Sequence, residues 1–315
     1  KSFKYVIIHS RNYENAKKEQ EKLEALQRLV KVDTENGDVA RKLAEYFEQK
    51  GQKEESLKYY KSALRRYAKA KQFSMTEQIW KKIAGDAFED INFFLNIASI
   101  TADSNLDLAV SLLTSFLEIL EISEKMEEAI FVAKYILTLD TFNQKVKAKL
   151  VDLFKTKYAN NSQLEECVKN SGLNNAKISV ENAIKKFEKE ILFDKGSYVY
   201  HKIWGIGKLT DIINDEFFLN FDDKQQHKMS YSMALKSLIA LMPDHIWVLK
   251  KEKKVGDCEK SEDIRRILLT ILKSFPDKAL SIENFKEELV PNILSQKEWN
   301  NWWNRAKNIL KQEMT

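Results

Sequence analysis

The stretch Asp194–Lys250 reads DKGSYVYHKIWGIGKLTDIINDEFFLNFDDKQQHKMSYSMALKSLIALMPDHIWVLK, and its pattern differs from the rest of the chain. Aromatic and β-branched residues alternate with polar ones in short runs, beginning at Tyr198. Gly205, Gly207 and the pair Asn214-Asp215 punctuate these runs. Alternation of this kind, interrupted by glycine and asparagine, predicts short strands joined by tight turns.

Strands of about four to six residues leave exposed sheet edges unless the sheet closes on itself. We therefore expect residues 194–250 to form a small β-barrel of the SH3 or Tudor type. Everything before this module, and nearly everything after it, has a helical pattern. The predicted fold class is mainly α with a small β domain.

Composition supports long helices in a protein that stays in water. The 315 residues include only 8 glycines and 3 prolines, and the net charge of +5 is mild for this length. Lysine and glutamate interleave along the helices, which is typical of solvated faces. The two cysteines, Cys167 and Cys258, lie far apart and indicate reduced thiols. No apolar run reaches the roughly 20 residues of a membrane span. Because the cysteines indicate reduced thiols, we expect a cytoplasmic protein.

The segment Leu43–Leu64, LAEYFEQKGQKEESLKYYKSAL, resembles a tetratricopeptide repeat. Small residues at Ala44, Ser56 and Ala63 would let two antiparallel helices approach closely, and Gly51 would end the first helix with positive φ. Further helices are predicted, with polar N-cap residues between several of them: Glu14–Val32, Asp86–Thr101, Leu106–Leu120, Glu124–Leu139, Phe142–Tyr158, Ser162–Asn170 and Ala176–Leu192. A tetratricopeptide-like solenoid over residues 1–193 accounts for them best, because one helix pair cannot bury its apolar face alone.

A third domain is predicted over residues 251–315, after a charged linker at Lys250–Asp257. It contains predicted helices at Glu259–Phe275, Ile282–Leu289 and Ser295–Glu313, and Ser295 with Glu298 forms a capping-box pattern. Trp299, Trp302 and Trp303 fall on one face of the last helix. That face either packs against the protein or serves as a docking surface.

Four segments together resemble the N-terminal half of the long, fused GreA-type transcription factors of spirochaetes and chlamydiae. The segments are GSYVYHKIWGIGKLTDI, FLNFDDKQQHKMS, MALKSLIAL and SQKEWNNWWNRAKNIL. The resemblance implies helical repeats, a small β module and a Trp-rich helical segment that precede cleavage-factor domains. The β module is also similar to the RNA-polymerase-interacting domain of CarD-type regulators, through the strand, Gly-x-Gly turn and strand of Tyr198–Ile213.

The chain departs from the resemblance in one respect. The family's long acidic-tipped hairpin, which holds Mg²⁺ in the polymerase active site, is not found in the sequence. The acidic turn around Glu118–Glu128 has flanking helices of only about 22 Å at 1.5 Å per residue. We therefore expect that this chain is not an enzyme and does not cleave RNA.

The candidate partner-binding residues combine aromatic and basic side chains of the β module with the C-terminal tryptophans. Tyr200, His201 and Trp204 are expected to be exposed at the first turn. The complete set is Tyr200, His201, Lys202, Trp204, Lys208, Trp299, Trp302 and Trp303.

Metal and phosphate sites are not expected. His201, His227 and His245 have no standard ligand spacing, and Gly205-x-Gly207 lacks the third glycine, the lysine and the helix of a phosphate loop. No cofactor is predicted.

Three functions remain open at this stage. The first is a non-catalytic region that docks on RNA polymerase or an associated transcription protein. The second is a helical-repeat adaptor unrelated to transcription. The third is an RNA-binding module that uses the barrel and Lys250–Lys254, since mixed aromatic and basic residues suit single strands.

Overall fold

The computed structural model describes residues 19–21, 23–173, 175, 178–214, 216–255, 261–275, 279–290 and 293–313. The first part of the predicted helix Glu14–Val32 lies outside these ranges. The described residues form two compact units: one reaches Tyr158 and includes Ser179–Glu181, and the other comprises Ala159–Ile178 and the chain from Asn182 onward. The predicted domain limits at residues 193 and 250 stay predictions.

The regular elements described in the first unit are helices that pack on their neighbours in sequence. They are α1 (residues 19–21 and 23–32), α2 (Gly37–Gln49), α3 (Lys53–Lys69), α4 (Phe73–Ile83), α5 (Ile91–Ala102), α6 (Leu106–Ile122), α7 (Met126–Leu139) and α8 (Gln144–Lys157). From α2 to α4 and from α5 to α8, each helix contacts the next one along the chain. Such packing suits the predicted solenoid, while its tetratricopeptide class stays a prediction.

The predicted pair of close-packed helices is present as α2 and α3. Gly51 ends the α2 turn with φ +70°, as expected for a helix stop. Ser56 is buried and its Oγ donates to the carbonyl oxygen of Ala44 at 2.9 Å, so the small residues do lie where the helices approach. Gly37 allows a similar approach, since a Cβ there would come within 2.5 Å of the Tyr67 ring.

An aromatic cluster fills the middle of the first unit. The Trp80 ring lies 4.8 Å from Phe94 and 6.0 Å from Phe116, centroid to centroid, and all three side chains are fully buried. The helix predicted from Asp86 begins instead at Ile91. The reason is that the Asp90 carboxylate accepts from the Phe93 amide and caps the helix there.

The second unit contains two helices, a five-stranded sheet and a C-terminal helical group. In chain order its elements are α9 (Leu164–Ser171), α10 (Val180–Glu190), β1 (Tyr198–His201), β2 (Gly205–Ile213), β3 (Glu216–Phe221), β4 (Lys224–Ser230), α11 (Tyr231–Ser237), β5 (Leu238–Leu241), α12 (Ile246–Lys251), α13 (Ser261–Ser274), α14 (Ile282–Leu289) and α15 (Gln296–Glu313). Among all described helices, none combines the length and apolarity needed to cross a membrane.

The sheet is antiparallel and open, so the predicted closed barrel is wrong. The strand order is β4-β3-β2-β1-β5, and β4 and β5 form the two edges without pairing to each other. Closure is unnecessary because each edge is protected differently. The β4 edge is polar (KQQHKMS), β5 has only four residues, and α11 contacts β3, β4 and β5.

The C-terminal helices form their own apolar core. Side chains of α13, α14 and α15 bury together in it: Ile264, Ile267, Leu268, Ile271, Phe285, Leu289, Trp299, Trp302 and Ala306. The predicted capping box at the start of α15 is confirmed, since the Ser295 amide donates to the Glu298 carboxylate at 2.7 Å and the Glu298 amide donates to Ser295 Oγ at 3.3 Å. The predicted linker starts too early, because Lys250 and Lys251 are the last residues of α12.

Candidate functional site

The alternation of β1 divides its side chains between two faces of the sheet. Val199 and His201 point into the core, whereas Tyr198 and Tyr200 are half-buried on the other side, here called the outer face. Tyr200 is paired across the sheet with Ile206 of β2 and with Ile239 of β5. Residues paired in this way lie on the same face, so these three form one apolar row across the outer face.

The predicted exposure of His201 is wrong. This side chain is buried, with its ring stacked on Trp204 at a centroid distance of 4.0 Å. Its Nδ1 accepts from the backbone amides of Ile203 and Trp204 at 3.2 and 3.3 Å. His201 therefore builds the β1–β2 turn and does not present itself to a partner.

The turn that follows β1 has its exposed tip at Lys202 and Ile203, and Ile203 is 80% exposed. Gly205 closes the turn with φ +70°, which confirms the prediction of a tight turn here. Gly207 lies against the Phe221 ring, where a Cβ would come within 2.6 Å. The glycines of this motif are thus explained by backbone geometry.

Trp204 is half-buried beneath a cation. Its ring lies 5.4 Å from Phe221 and 4.5 Å from His227, and the Lys224 ammonium lies 4.3 Å from the ring centroid. Burial, the Lys224 charge and His201 lower the pKa of His227. The charged form of this imidazole is therefore disfavoured beside the tryptophan.

A cleft of about 880 Å³ opens beside the outer face and is here called the aromatic cleft. The Trp247 ring of α12 lies 4.8 Å from the Tyr200 ring and forms part of its wall. The lining residues are Tyr200, Trp204, Gly205, Ile206, Asp222, Asp223, Trp247, Lys250, Lys251, Lys253, Val255, Glu287, Glu288 and Ile293. Aromatic walls with a few fixed polar groups are typical of binding sites.

Ion pairs hold two of the basic side chains of the aromatic cleft, those of Lys250 and Lys251. Glu288 Oε2 accepts from Lys250 Nζ at 2.7 Å and from the Trp247 indole nitrogen at 2.9 Å. Lys251 Nζ donates to Asp222 at 2.8 Å and to the carbonyl oxygen of Ile206 at 3.0 Å. These contacts tie α12 to α14 and to the sheet, and they neutralise two of the lysines.

The predicted tryptophan surface on α15 is wrong for two of its three residues. Trp299 and Trp302 are only 5% and 3% exposed, and they belong to the core of the C-terminal helices. Trp303 is half-buried and stacks on Trp299 at 5.4 Å. The stripe is therefore a packing face, which was the competing interpretation of the sequence.

The remaining predicted site residues are placed on the sheet surface. Lys202 is exposed at the turn, and exposed Lys208 lies over the Tyr198 ring with its ammonium 5.4 Å from the centroid. Sequence reasoning missed Trp247, Ile206 and Ile239 as companions of Tyr200. The alternation of β2 could have indicated Ile206, whereas the contact with Trp247 depends on tertiary packing. Among the described residues no group of His, Cys, Asp and Glu could hold a metal ion.

This architecture defines a class: a mainly helical protein with a small open antiparallel sheet and a C-terminal helix-turn-helix group. A family model described as the GRAD helix-turn-helix domain matches residues 247–315, which contain most of α12 and all of α13 to α15.

Similar proteins give more specific information than the family model does. A protein named "Putative GreA-associated domains protein" from Treponema pallidum is 33% identical over 289 residues, covering 91% of this chain and 44% of that protein. "Transcription elongation factor GreA" of Borreliella burgdorferi is 30% identical over 309 residues, covering 96% of this chain and 33% of that protein. The protein of the same name from Chlamydia pneumoniae is 24% identical over 190 residues, covering 57% of this chain and 25% of that protein.

The predicted resemblance is confirmed: most of this chain is similar to GreA-related proteins of spirochaetes, and a shorter part to one from a chlamydia. The chain spans less than half the length of these relatives.

Proposed function

We propose that this chain is a non-catalytic interaction region of a GreA-related transcription elongation factor and that it docks on RNA polymerase or an associated transcription protein. The docking surface is the outer face of the sheet together with the aromatic cleft. The observation that carries the proposal is the apolar row Tyr200, Ile206 and Ile239, which lies beside an open cleft with a tryptophan in its wall.

The exposure of this row supports a role in binding. Ile239 is 61% exposed although it lies in the middle of β5, and Ile203 at the nearby turn is 80% exposed. Large apolar side chains on rigid strands lose little conformational entropy when a partner covers them, and aromatic residues beside them are favoured interface anchors.

The charges of the aromatic cleft favour a protein partner over RNA. Lys250 and Lys251 already pair with Glu288 and Asp222, and Asp223 adds a further carboxylate to the lining. A phosphate backbone entering here would face these acids and would have to displace two ion pairs. A mixed-charge rim around apolar residues instead suits a protein surface.

Binding to purified spirochaetal core RNA polymerase tests the proposal, with the polymerase immobilised for biolayer interferometry. We expect the wild-type chain to bind and Ile239→Ser or Tyr200→Ala to weaken binding by about tenfold or more, because central apolar anchors contribute about 2 kcal/mol or more. Ile122→Ser is the matched control, since Ile122 lies at the end of α6 in the first unit and is 83% exposed.

Two outcomes of this experiment would contradict different parts of the proposal. Equal weakening by Ile122→Ser and Ile239→Ser would contradict the assignment of the surface. Absence of binding by the wild-type chain, both to core polymerase and to polymerase carrying its associated factors, would contradict the proposal itself.

A further inference from the structure

One face of α15 is made only of asparagine and lysine. At about 100° per residue, seven residues share an arc of about 120°, and all seven are exposed: Lys297, Asn300, Asn301, Asn304, Lys307, Asn308 and Lys311. Within the part of the chain that the structure describes, none of them makes a side-chain hydrogen bond or ion pair. We call this surface the Asn/Lys face.

The opposite side of the helix fixes how this face is presented. Trp299, Trp302 and Ala306 are buried in the core formed with α13 and α14. Glu298 is the one acidic residue in the described side chains of α15, and it is engaged with Ser295 in the capping box. The helix is therefore anchored by its tryptophans, capped at its start, and positively charged on its exposed side.

The clustering of asparagines distinguishes this face from a typical solvated one. Asparagine is a poor residue for a helix interior because its amide competes for backbone hydrogen bonds, whereas Glu, Lys, Gln and Arg are good solvated-face residues. Elsewhere in the described chain, asparagine occurs both at helix starts and in helix bodies, since Asn92 and Asn96 lie exposed within α5. Asn36, Asn105 and Asn143 cap α2, α6 and α8 by accepting backbone amides. The four in the body of α15 make no capping contact, and unlike those of α5 they share one face with three lysines, which offers a partner a row of amide donors and acceptors beside positive charge.

The chemistry of the Asn/Lys face fits double-stranded DNA. An asparagine amide can donate to adenine N7 and accept from adenine N6 in the major groove, and lysines can neutralise phosphates on the groove walls. The major groove of B-DNA is about 12 Å wide and admits one α-helix. The major groove of A-form RNA is too deep and narrow for this, so a helical face selects DNA.

We propose that α15 binds duplex DNA through its Asn/Lys face, with Asn300, Asn301 and Asn304 at the base edges and Lys297, Lys307 and Lys311 at the phosphates. The α14–α15 pair supports this arrangement, because Phe285 of α14 lies 5.7 Å from Trp303 and holds the two helices together. In DNA-binding helix-turn-helix units the second helix enters the groove. The inference goes beyond the docking function, which uses a different surface and a protein partner.

The proposed contacts between the lysines and the phosphates are tested by fluorescence anisotropy of the whole chain with a labelled 24-base-pair duplex rich in A·T pairs. We expect binding that weakens with salt, and a salt slope reduced by about 2 to 3 in the variant Lys297→Gln/Lys307→Gln/Lys311→Gln, since each lost phosphate contact removes about 0.9. The control variant Lys31→Gln/Lys42→Gln/Lys69→Gln changes the net charge equally, and its lysines are exposed on the helices of the first unit. It should keep the wild-type slope.

The proposed contacts between the asparagines and the base edges are tested with the variant Asn300→Ala/Asn301→Ala/Asn304→Ala. We expect this variant to bind the duplex about fivefold or more weakly, while its thermal midpoint rises because alanine is the better helix former. Replacing adenine by 7-deazaadenine, which lacks N7, should weaken binding of the wild-type chain but not of the alanine variant. Lower affinity together with higher stability cannot arise from a merely structural role.

Three results would overturn the proposal. The first is that the wild-type chain does not bind the duplex even at low salt. The second is equal loss in the control lysine variant, which would make the attraction a property of net charge. The third is equal or tighter binding to single-stranded DNA or to duplex RNA of the same sequence, which would exclude insertion of a helix into a major groove.

Discussion

The ion pair between Lys250 and Glu288 gives the sharpest test of how the aromatic cleft is built. Its nitrogen–oxygen distance is 2.7 Å, and the two side chains are only 15% and 18% exposed. Glu288 also accepts from the Trp247 indole, so one carboxylate fixes both a cation and the tryptophan that contacts Tyr200. Removing its charge should loosen the wall of the cleft.

The expected coupling lies between two limits. Exposed ion pairs contribute about 0.2–1 kcal/mol, and hydrogen bonds to charged groups contribute about 1.5–3 kcal/mol. Because this pair is shielded from most of the solvent but not sealed from it, we expect a coupling energy of about 1–2 kcal/mol. The same shielding should keep the coupling nearly constant up to 0.5 M salt.

A double-mutant cycle with Lys250→Met, Glu288→Gln and the combined variant measures this coupling through urea denaturation. Tryptophan fluorescence reports on the right region, since five of the chain's six tryptophans lie in the second unit. A coupling below about 0.3 kcal/mol would refute the reasoning, because α12 and α14 would then not be joined across the cleft as the structure has them.

Two further predictions concern stability. Burial lowers the pKa of His245 despite the nearby Glu288 carboxylate, and burial, Lys224 and His201 lower the pKa of His227. The unfolded chain therefore takes up protons first, and the free energy of unfolding should fall as the pH drops below about 6.5. His245→Asn keeps an acceptor for the Trp247 amide and should make the free energy of unfolding, measured by urea titration, depend less on pH. An unchanged pH dependence would count against His245 as its source. Gly207→Ala should cost about 1–3 kcal/mol by pressing on Phe221, whereas Gly85→Ala, which meets open space, should cost nothing in the same thermal denaturation experiment.

Local patterns in the sequence predicted most of the long helices and the first three strands, whereas α4, α11 and α12 were not predicted. The Gly51 stop, the Ser295–Glu298 capping box and the tight turn at Gly205 depend on only a few neighbouring residues, and the structure has all three. The alternation of Tyr198, Val199, Tyr200 and His201 also indicates that His201 faces inward. If Val199 points inward, the residue two positions later must do so as well.

Closure of the sheet could not be read from these patterns. The prediction rested on a general need to protect strand edges, and that need can be met in several ways. Here β4 meets it with lysine and glutamine side chains, and β5 meets it by being short. Whether two edge strands pair depends on the position of α11 between them, which is a property of the folded chain.

The tryptophans of α15 show how one periodic pattern can mislead about function. An i, i+3, i+4 set identifies a helix face, but it does not tell whether another helix of the same chain covers that face. In the structure α13 and α14 cover it.

The consequence for α15 is that its opposite face must meet the solvent or a partner. The binding residues predicted from the sequence are mostly aromatic, yet burial of Trp299 and Trp302 leaves the amides and lysines on the exposed side. On the sheet the same logic leaves an apolar row uncovered beside paired charges. The second unit therefore offers two chemically different surfaces, and a variant in one should leave binding at the other unchanged.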